Sequence, residues 1–317
     1  MFKIKTVPED FIVKEIFDLK LKEKGDYSYF LLKKENTTTL DAIKIICKRF
    51  NLNSKSIGFS GNKDKRALTE QYISIYRFNE NKDFEFKNFS LKFIGLNNER
   101  INLGIHKENE FIITIRNLDR EYNIEPRFIV NYFDEQRFSI NNFEIGKLIL
   151  QRKFSDVCNL LNVNLDNLRK NRRILRFYIH SLQGYLFNYV LSSYLNNKYK
   201  DIELVRYSLG NYVFVREEIK NFKLPLISFD VKFDKRFSKY FDKILKDLKI
   251  KKEDFLIREM PELIDETVYR DCIAKVKDFK IVKYEKDELN NGKFKEIISF
   301  RLTKGSYATI LIKEYFD

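Results

Sequence analysis

Two hydrophobic periods alternate along this chain, and together they restrict it to a mixed fold. Glu110 to Arg116, EFIITIR, sets apolar and polar residues at alternate positions, as a strand with one buried face requires. Ile297 to Leu302 repeats that pattern near the C-terminus, and Phe11 to Phe17, Tyr27 to Lys33, Ile57 to Phe59 and Gln71 to Tyr76 also read as strands. Between them Leu40, Ile43, Ile46, Cys47 and Phe50 recur at helical spacing behind a Thr37 to Thr39 run able to cap a helix. Ile174, Ile179, Leu182, Leu186, Val190, Leu191 and Leu195 mark a long amphipathic helix, and the lysine-rich stretch from Lys243 to Lys252 reads as a surface helix. The expected class is α+β. With 317 residues the chain has room for two ordinary domains, and the middle portion shows hydrophobic periodicities of its own.

Charge and side-chain inventory narrow the chemistry. Sixty Lys and Arg against 46 Asp and Glu give a net charge of +14, which suits an anionic partner because clustered cations release counterions from nucleic-acid phosphates. Thirty Phe and 18 Tyr exceed the needs of an ordinary core, and rings beside basic side chains are the means of stacking exposed bases. Cys47, Cys158 and Cys272 are odd in number and widely spaced, which argues against a disulfide framework and a zinc site and for a reducing cytoplasm. With His106 and His180 as the sole histidines, neither a histidine triad nor a histidine metal cluster is expected. The chemistry is left to carboxylates, lysines, tyrosines or bound water. No segment reaches the ~18 apolar residues of a membrane span, and the N-terminal MFKIKTVPEDF lacks the apolar stretch of a signal peptide, so a cytoplasmic, non-exported protein is expected. No heptad pattern points to an oligomer, so a monomer is expected.

The most informative stretch is Gly61 to Gln71, GNKDKRALTEQ, which sets Asp64 between Lys63 and Lys65 on a turn between two strand-like runs. A carboxylate flanked by lysines is set up as an anion, able to act as nucleophile or electrostatic stabiliser rather than as general acid. Lys65 and Arg66 follow it, placed either to hold phosphates or to solvate the turn.

Four segments taken together resemble one enzyme family, the TruD-type tRNA pseudouridine synthases. They are VPEDFIVKE (Val7 to Glu15), GNKDKRALTEQ, NYFDEQRFS (Asn131 to Ser139) and FRLTKGSYATILIKE (Phe300 to Glu314), in the family's order. HSLQGYLFNYVLS (His180 to Ser192) is a fifth, weaker match. The chain departs from the family at Asn62, where a small or apolar residue is usual, at Asp134 and Ser139, where glycine is usual, and near Thr303, where proline is usual.

The resemblance implies a catalytic domain with a mixed, largely antiparallel central sheet, here residues 1–144 and 287–317, and an inserted family-specific α/β domain, 145–286. It implies an isomerase that converts uridine to pseudouridine in tRNA, at uridine 13 or another uridine, or in other structured RNA, a reaction that requires no cofactor or metal. Asp64 would be the catalytic carboxylate, with Lys5 as its preferred cationic partner and Lys63 as a second support. Phe11 and Tyr307 would contact the target nucleotide through their rings and Asn131 through its amide, with Phe133 and Arg137 supporting or extending the site. A base in folded RNA must leave its stack before its glycosidic bond can be reached, which is why such groups are needed. Two other readings of the residues are a non-catalytic RNA-binding or RNA-chaperoning protein of the same fold and a carboxylate hydrolase. The hydrolase would need a second poised acid, and none suggests itself.

Overall fold

A computed structural model describes residues 1–317, the side chain of Ile140 excepted. In chain order the first elements are β1 (Phe11–Ile16), β2 (Tyr27–Lys34), α1 (Thr39–Phe50), β3 (Ile57–Phe59), β4 (Leu68–Tyr76), β5 (Phe84–Glu85), β6 (Phe89–Asn97) and β7 (Glu108–Leu118). There follow β8 (Phe128–Val130), α2 (Ser139–Leu150), α3 (Phe154–Leu161), α4 (Leu165–Lys170), α5 (Arg172–Lys198), β9 (Ile202–Tyr207), β10 (Gly210–Val215) and β11 (Lys223–Leu226). The chain ends with α6 (Ser238–Leu248), β12 (Val268–Asp271), β13 (Ile273–Lys275), β14 (Lys277–Lys286), β15 (Phe294–Thr303) and α7 (Ala308–Phe316).

The chain divides into two compact units, Met1–Arg127 with Lys275–Gly305 and Phe316–Asp317, and Phe128–Ala274 with Ser306–Tyr315. Of the boundaries expected from the sequence, 144/145 lies inside α2 and 286/287 lies at the end of β14.

The first unit is built on a mixed sheet in the order β14-β15-β7-β1-β4-β2-β6-β5, with β3 paired to β4. The β1–β4 pair is parallel, whereas the other paired strands run antiparallel. The alternation read from the sequence is what the sheet uses: Phe11 and Val13 of β1, Phe111, Ile113 and Ile115 of β7, and Ile298, Phe300 and Leu302 of β15 are all buried. A second apolar cluster joins Phe30, Leu32, Ile73, Ile75 and Leu91 to Ala42, Ile43 and Ile46 of α1. Thr38 caps that helix, its Oγ1 accepting from the Asp41 N–H at 3.1 Å.

In the second unit α5 is the central element. Leu175, Ile179, Leu182, Leu186, Val190, Leu191 and Leu195 all face its core. Ile174, expected on that face, is instead 46% exposed, because the buried series starts one residue later at Leu175 and then steps by three or four. α2 packs closely on α5: a Cβ at Gly146 would stand 2.3 Å from the Tyr178 carbonyl oxygen. Of the stretch expected to be helical from Lys243 to Lys252, Lys243 to Leu248 form the end of α6, which buries Phe241, Ile244 and Leu245 and leaves its lysines in solvent; the helix stops at Lys249, which takes a left-handed conformation. Among the described residues no helix is long and apolar enough to cross a membrane.

Candidate active site

Asp64 lies in the loop between β3 and β4, and a layer of buried polar groups holds that loop from below. Period-two alternation puts Glu15 on the face of Phe11 and Val13, and Gln71 on that of Ile73 and Ile75, so both polar side chains enter the core. Gln71 donates through Nε2 to the Gly61 carbonyl at 3.1 Å and accepts through Oε1 from Thr39 Oγ1 at 2.7 Å. Thr39 Oγ1 in turn accepts from the Lys63 N–H at 3.0 Å. Glu15 accepts from Ser60 Oγ and, at 3.2 Å, from the Tyr72 N–H. A buried polar group without partners costs free energy, and here three of the bonds that satisfy one also fix a backbone atom, the Gly61 carbonyl and Lys63 N–H of the loop and the Tyr72 N–H of the strand beside it.

The two expected lysine supports part company. Lys63 turns away from Asp64 and inserts its ammonium between Glu15 Oε1 at 2.9 Å and Asn109 Oδ1 at 2.8 Å. It supports the loop rather than the acid, as the opposite orientation of successive side chains on an extended chain dictates. Lys5 makes the ion pair: its Nζ lies 2.7 Å from Asp64 Oδ2 and 4.2 Å from the centre of the Phe11 ring. Lys5 is held in the left-handed region, φ 55°, where a residue with a Cβ rarely sits. The segment around it is pinned by Asp10, which accepts from the Thr6 and Val7 N–H groups at 3.0 and 3.1 Å and binds Arg116 Nε at 2.8 Å. Arg116 is itself anchored on Asp287 at 2.8 Å.

A third cation was not anticipated. Lys34 extends β2 on the face of Leu32 and donates from Nζ to the Asp64 carbonyl at 2.7 Å and the Thr37 carbonyl at 2.9 Å. Burial pushes its ammonium down to about 8, against the opposing pull of the Asp64 charge. Asp64 is thus held at its main chain by Lys34 and at its carboxylate by Lys5, with the side chain still 51% exposed. Lys65 and Arg66 are exposed and form no ion pair among the described residues.

Phe11, by contrast, is 4% exposed, packed edge-on against Phe111 at 6.3 Å and covered by Lys5.

The other expected residues gather in the second unit. Asn131 is buried, donating from Nδ2 to the Asp271 carbonyl at 2.8 Å and accepting at Oδ1 from Arg270 Nη2 at 2.7 Å. Phe133 follows two residues later, its backbone N–H and carbonyl clasped by the buried amide of Asn188 at 2.9 and 2.8 Å. Its ring meets the Tyr307 ring edge-on at 6.0 Å, the Arg270 guanidinium at 4.2 Å and that of Arg137 at 5.8 Å. Burial lowers Arg270 to about 10, which marks how far its charge is withdrawn from water. Asp134, where the resemblance led one to expect glycine, takes φ −71° and ψ 149°, a conformation open to any residue, and Ser139 simply begins α2. Neither substitution strains this segment.

Arg270, Lys34, Asn188 and Asn109 were missed by sequence reasoning. For Glu15 and Gln71 there was a signal, a polar side chain in register with the apolar face of a strand, and both lie inside quoted motifs.

The family model described as tRNA pseudouridine synthase D (TruD) matches residues 2–171 and 165–315. The chain belongs to that family. Membership makes it an enzyme, a pseudouridine synthase of the isomerase class. It is 30% identical to the tRNA pseudouridine synthase D of Aquifex aeolicus, over 99% of this chain and 98% of that protein. A crystal structure of a Methanosarcina mazei protein described as a TruD candidate shares the fold, with a TM-score of 0.67 at 23% identity over 98% of this chain and 92% of the other. The resemblance drawn from the motifs is therefore borne out, as is the α+β class with its mixed sheet.

Proposed function

We propose that this chain converts uridine to pseudouridine in tRNA, with Asp64 as the catalytic carboxylate and uridine 13 as its first target. The observation that carries the reading is the Asp64 arrangement: a carboxylate paired with Lys5 at 2.7 Å, half open to solvent, on a loop whose backbone is bonded to buried groups at Gly61, Lys63 and Asp64. An anion so placed has a fixed position and an open approach, which a group acting on a ribose requires.

The reaction breaks the bond from uracil N1 to ribose C1′, turns the base over and joins C5 to C1′. The C5 hydrogen leaves as a proton, N1 gains one, and no electrons are exchanged. Asp64 would act at C1′ as nucleophile or at C2′ as base. The Lys5 ammonium, 2.7 Å from Oδ2, would hold the carboxylate in position for that step. The everted nucleotide would be contacted by Phe11, Asn131 and Tyr307, with Phe133 and Arg137 extending the site. Residues 1–144 and 287–317 would supply the catalytic frame and 145–286 the family's inserted domain. The enzyme would work as a cytoplasmic monomer.

The test uses unmodified tRNA labelled with tritium at uridine C5. The parent chain should release tritium and leave pseudouridine at a mapped position, and Asp64→Ala should bind the tRNA without release. Binding by both chains with no release from either would indicate an RNA-binding protein that does not turn over.

A further inference from the structure

The N-terminal half of α5 carries a surface that the chemistry above does not use. While Leu175 and Ile179 face the core, Ile174 and Phe177 stand outward, 46% and 40% exposed. Arg137 lies beside Phe177: its guanidinium carbon is 5.5 Å from the centre of that ring and 5.8 Å from that of Phe133. No carboxylate lies within ion-pair distance of Arg137 among the described residues, and its Nε is buried without an acceptor. Asp265, which reaches the same helix, is taken by His180 at 2.9 Å and Arg176 at 3.5 Å. Just before Phe177 the chain runs Arg169, Lys170, Asn171, Arg172, Arg173. Arg172 pairs with Glu262 at 2.8 Å, whereas Arg169, Lys170 and Arg173 are exposed with no acid within 4 Å among the described residues.

An uncommitted guanidinium between two rings, one of them open to solvent, together with three uncommitted cations at the end of α4 and the start of α5, complements an unpaired base and its phosphates. Rings of this kind stack any base by its π-face, and the cations hold the backbone. An apolar protein partner would cover Ile174 and Phe177 but leave those charges unmatched. We propose that Phe177 and Arg137 form a second nucleotide subsite, which takes an unpaired base of the tRNA next to the everted uridine, with Arg173 on its phosphate. The inference rests on the reading of the chain as a tRNA isomerase. It adds a place where the RNA beside the target is gripped, reached through Arg137 from the Phe133 ring.

The experiment measures equilibrium binding of an unmodified tRNA transcript at several salt concentrations, and single-turnover tritium release at saturating protein. The variants are Phe177→Ala, Phe177→Leu, Phe177→Tyr and Arg173→Gln. Loss of one stacked base predicts affinity weaker by roughly 5- to 50-fold in both the Ala and Leu variants, a larger fall than in the saturating rate. The Tyr variant should bind within about twofold of the parent, and Arg173→Gln should reduce the salt slope by about 1. Transcripts carrying 4-thiouridine beside the modified uridine should crosslink to the peptide that contains Phe177. The proposal fails if Phe177→Ala binds like the parent, if Phe177→Leu keeps parental affinity and so shows a packing role only, or if that crosslink is absent. A parent chain that releases no tritium while Phe177→Ala still weakens binding would sink the isomerase reading and leave the subsite. Turnover by the parent with unaltered binding by Phe177→Ala would sink the subsite alone.

Discussion

Replacing Lys63 with Met tests whether the loop that carries Asp64 is fixed from below. Methionine keeps the apolar stem of the lysine and removes the ammonium, so Glu15, whose side chain is fully buried, loses its ion-pair partner and keeps only Ser60 Oγ and the Tyr72 N–H. A buried pair broken on one side costs about 3–5 kcal/mol, because the remaining charge is left uncompensated. Against a total stability of about 5–15 kcal/mol, this should lower the midpoint of thermal unfolding by roughly 6–20 °C. Circular dichroism on heating gives the midpoint, and native-state hydrogen exchange of β1 and β4 peptides assigns the loss to the first unit. Glu15→Gln combined with Lys63→Met removes both charges, and the double variant should recover at least ~2 kcal/mol relative to the sum of the single losses. Turnover per folded molecule in Lys63→Met should fall by about 10- to 100-fold, because a small displacement of a reacting group is costly. A loss below about 1 kcal/mol, or strict additivity in the cycle, would refute the argument that this pair anchors the loop.

Three further outcomes follow from the same geometry. Lys5→Met should change stability by less than about 1 kcal/mol, since Asp64 is half exposed, yet lower saturating turnover more than tenfold; equal turnover in variant and parent would show that the pair is incidental. Arg270→Lys keeps the charge but cannot reproduce the Nη2 and Nε contacts to Asn131, so kcat should fall by more than tRNA affinity, and equal falls would argue for a general binding role. Burial pushes Glu314 up to about 8, so the folded chain holds a proton that the unfolded chain releases, and this contribution to stability is lost as pH rises from about 4.5 through 8. Glu314→Gln should therefore show a shallower decline in stability than the parent between pH 6 and 8.5, and parallel declines would contradict a raised carboxyl.

Six of the nine sheet strands were legible, β1 and β15 because buried and more open residues alternate along them; β3 was bounded correctly, β2, β4, β7 and β15 were read short by one to four residues, and β5, β6 and β14 were not read. Asp64 stood out between two lysines within GNKDKRALTEQ, whereas Lys5 lies just before the first motif and was named through the family resemblance. What pairs with them did not stand out, since the partner of Lys63 is Glu15, 48 positions away, and the cation on the Asp64 carbonyl is Lys34, 30 positions away. Such contacts depend on which strands become neighbours, and the parallel β1–β4 pair that brings Glu15 under the loop leaves no local mark in sequence. Arg270 was illegible for the same reason: it meets Asn131 across 139 positions from a strand of four residues. Ile174 was misread because an apolar residue one step out of phase with a helical series is not separable from the series by composition.

The central claim is that the Asp64 carboxylate, and not merely its loop, performs the chemistry. Asp64→Asn keeps the shape and one oxygen while removing the charge, so the direct measurement is single-turnover tritium release from C5-labelled tRNA at saturating protein, with affinity measured in parallel. The account predicts tRNA binding within a few-fold of the parent and release reduced at least a thousandfold. Release by Asp64→Asn within tenfold of the parent would contradict it.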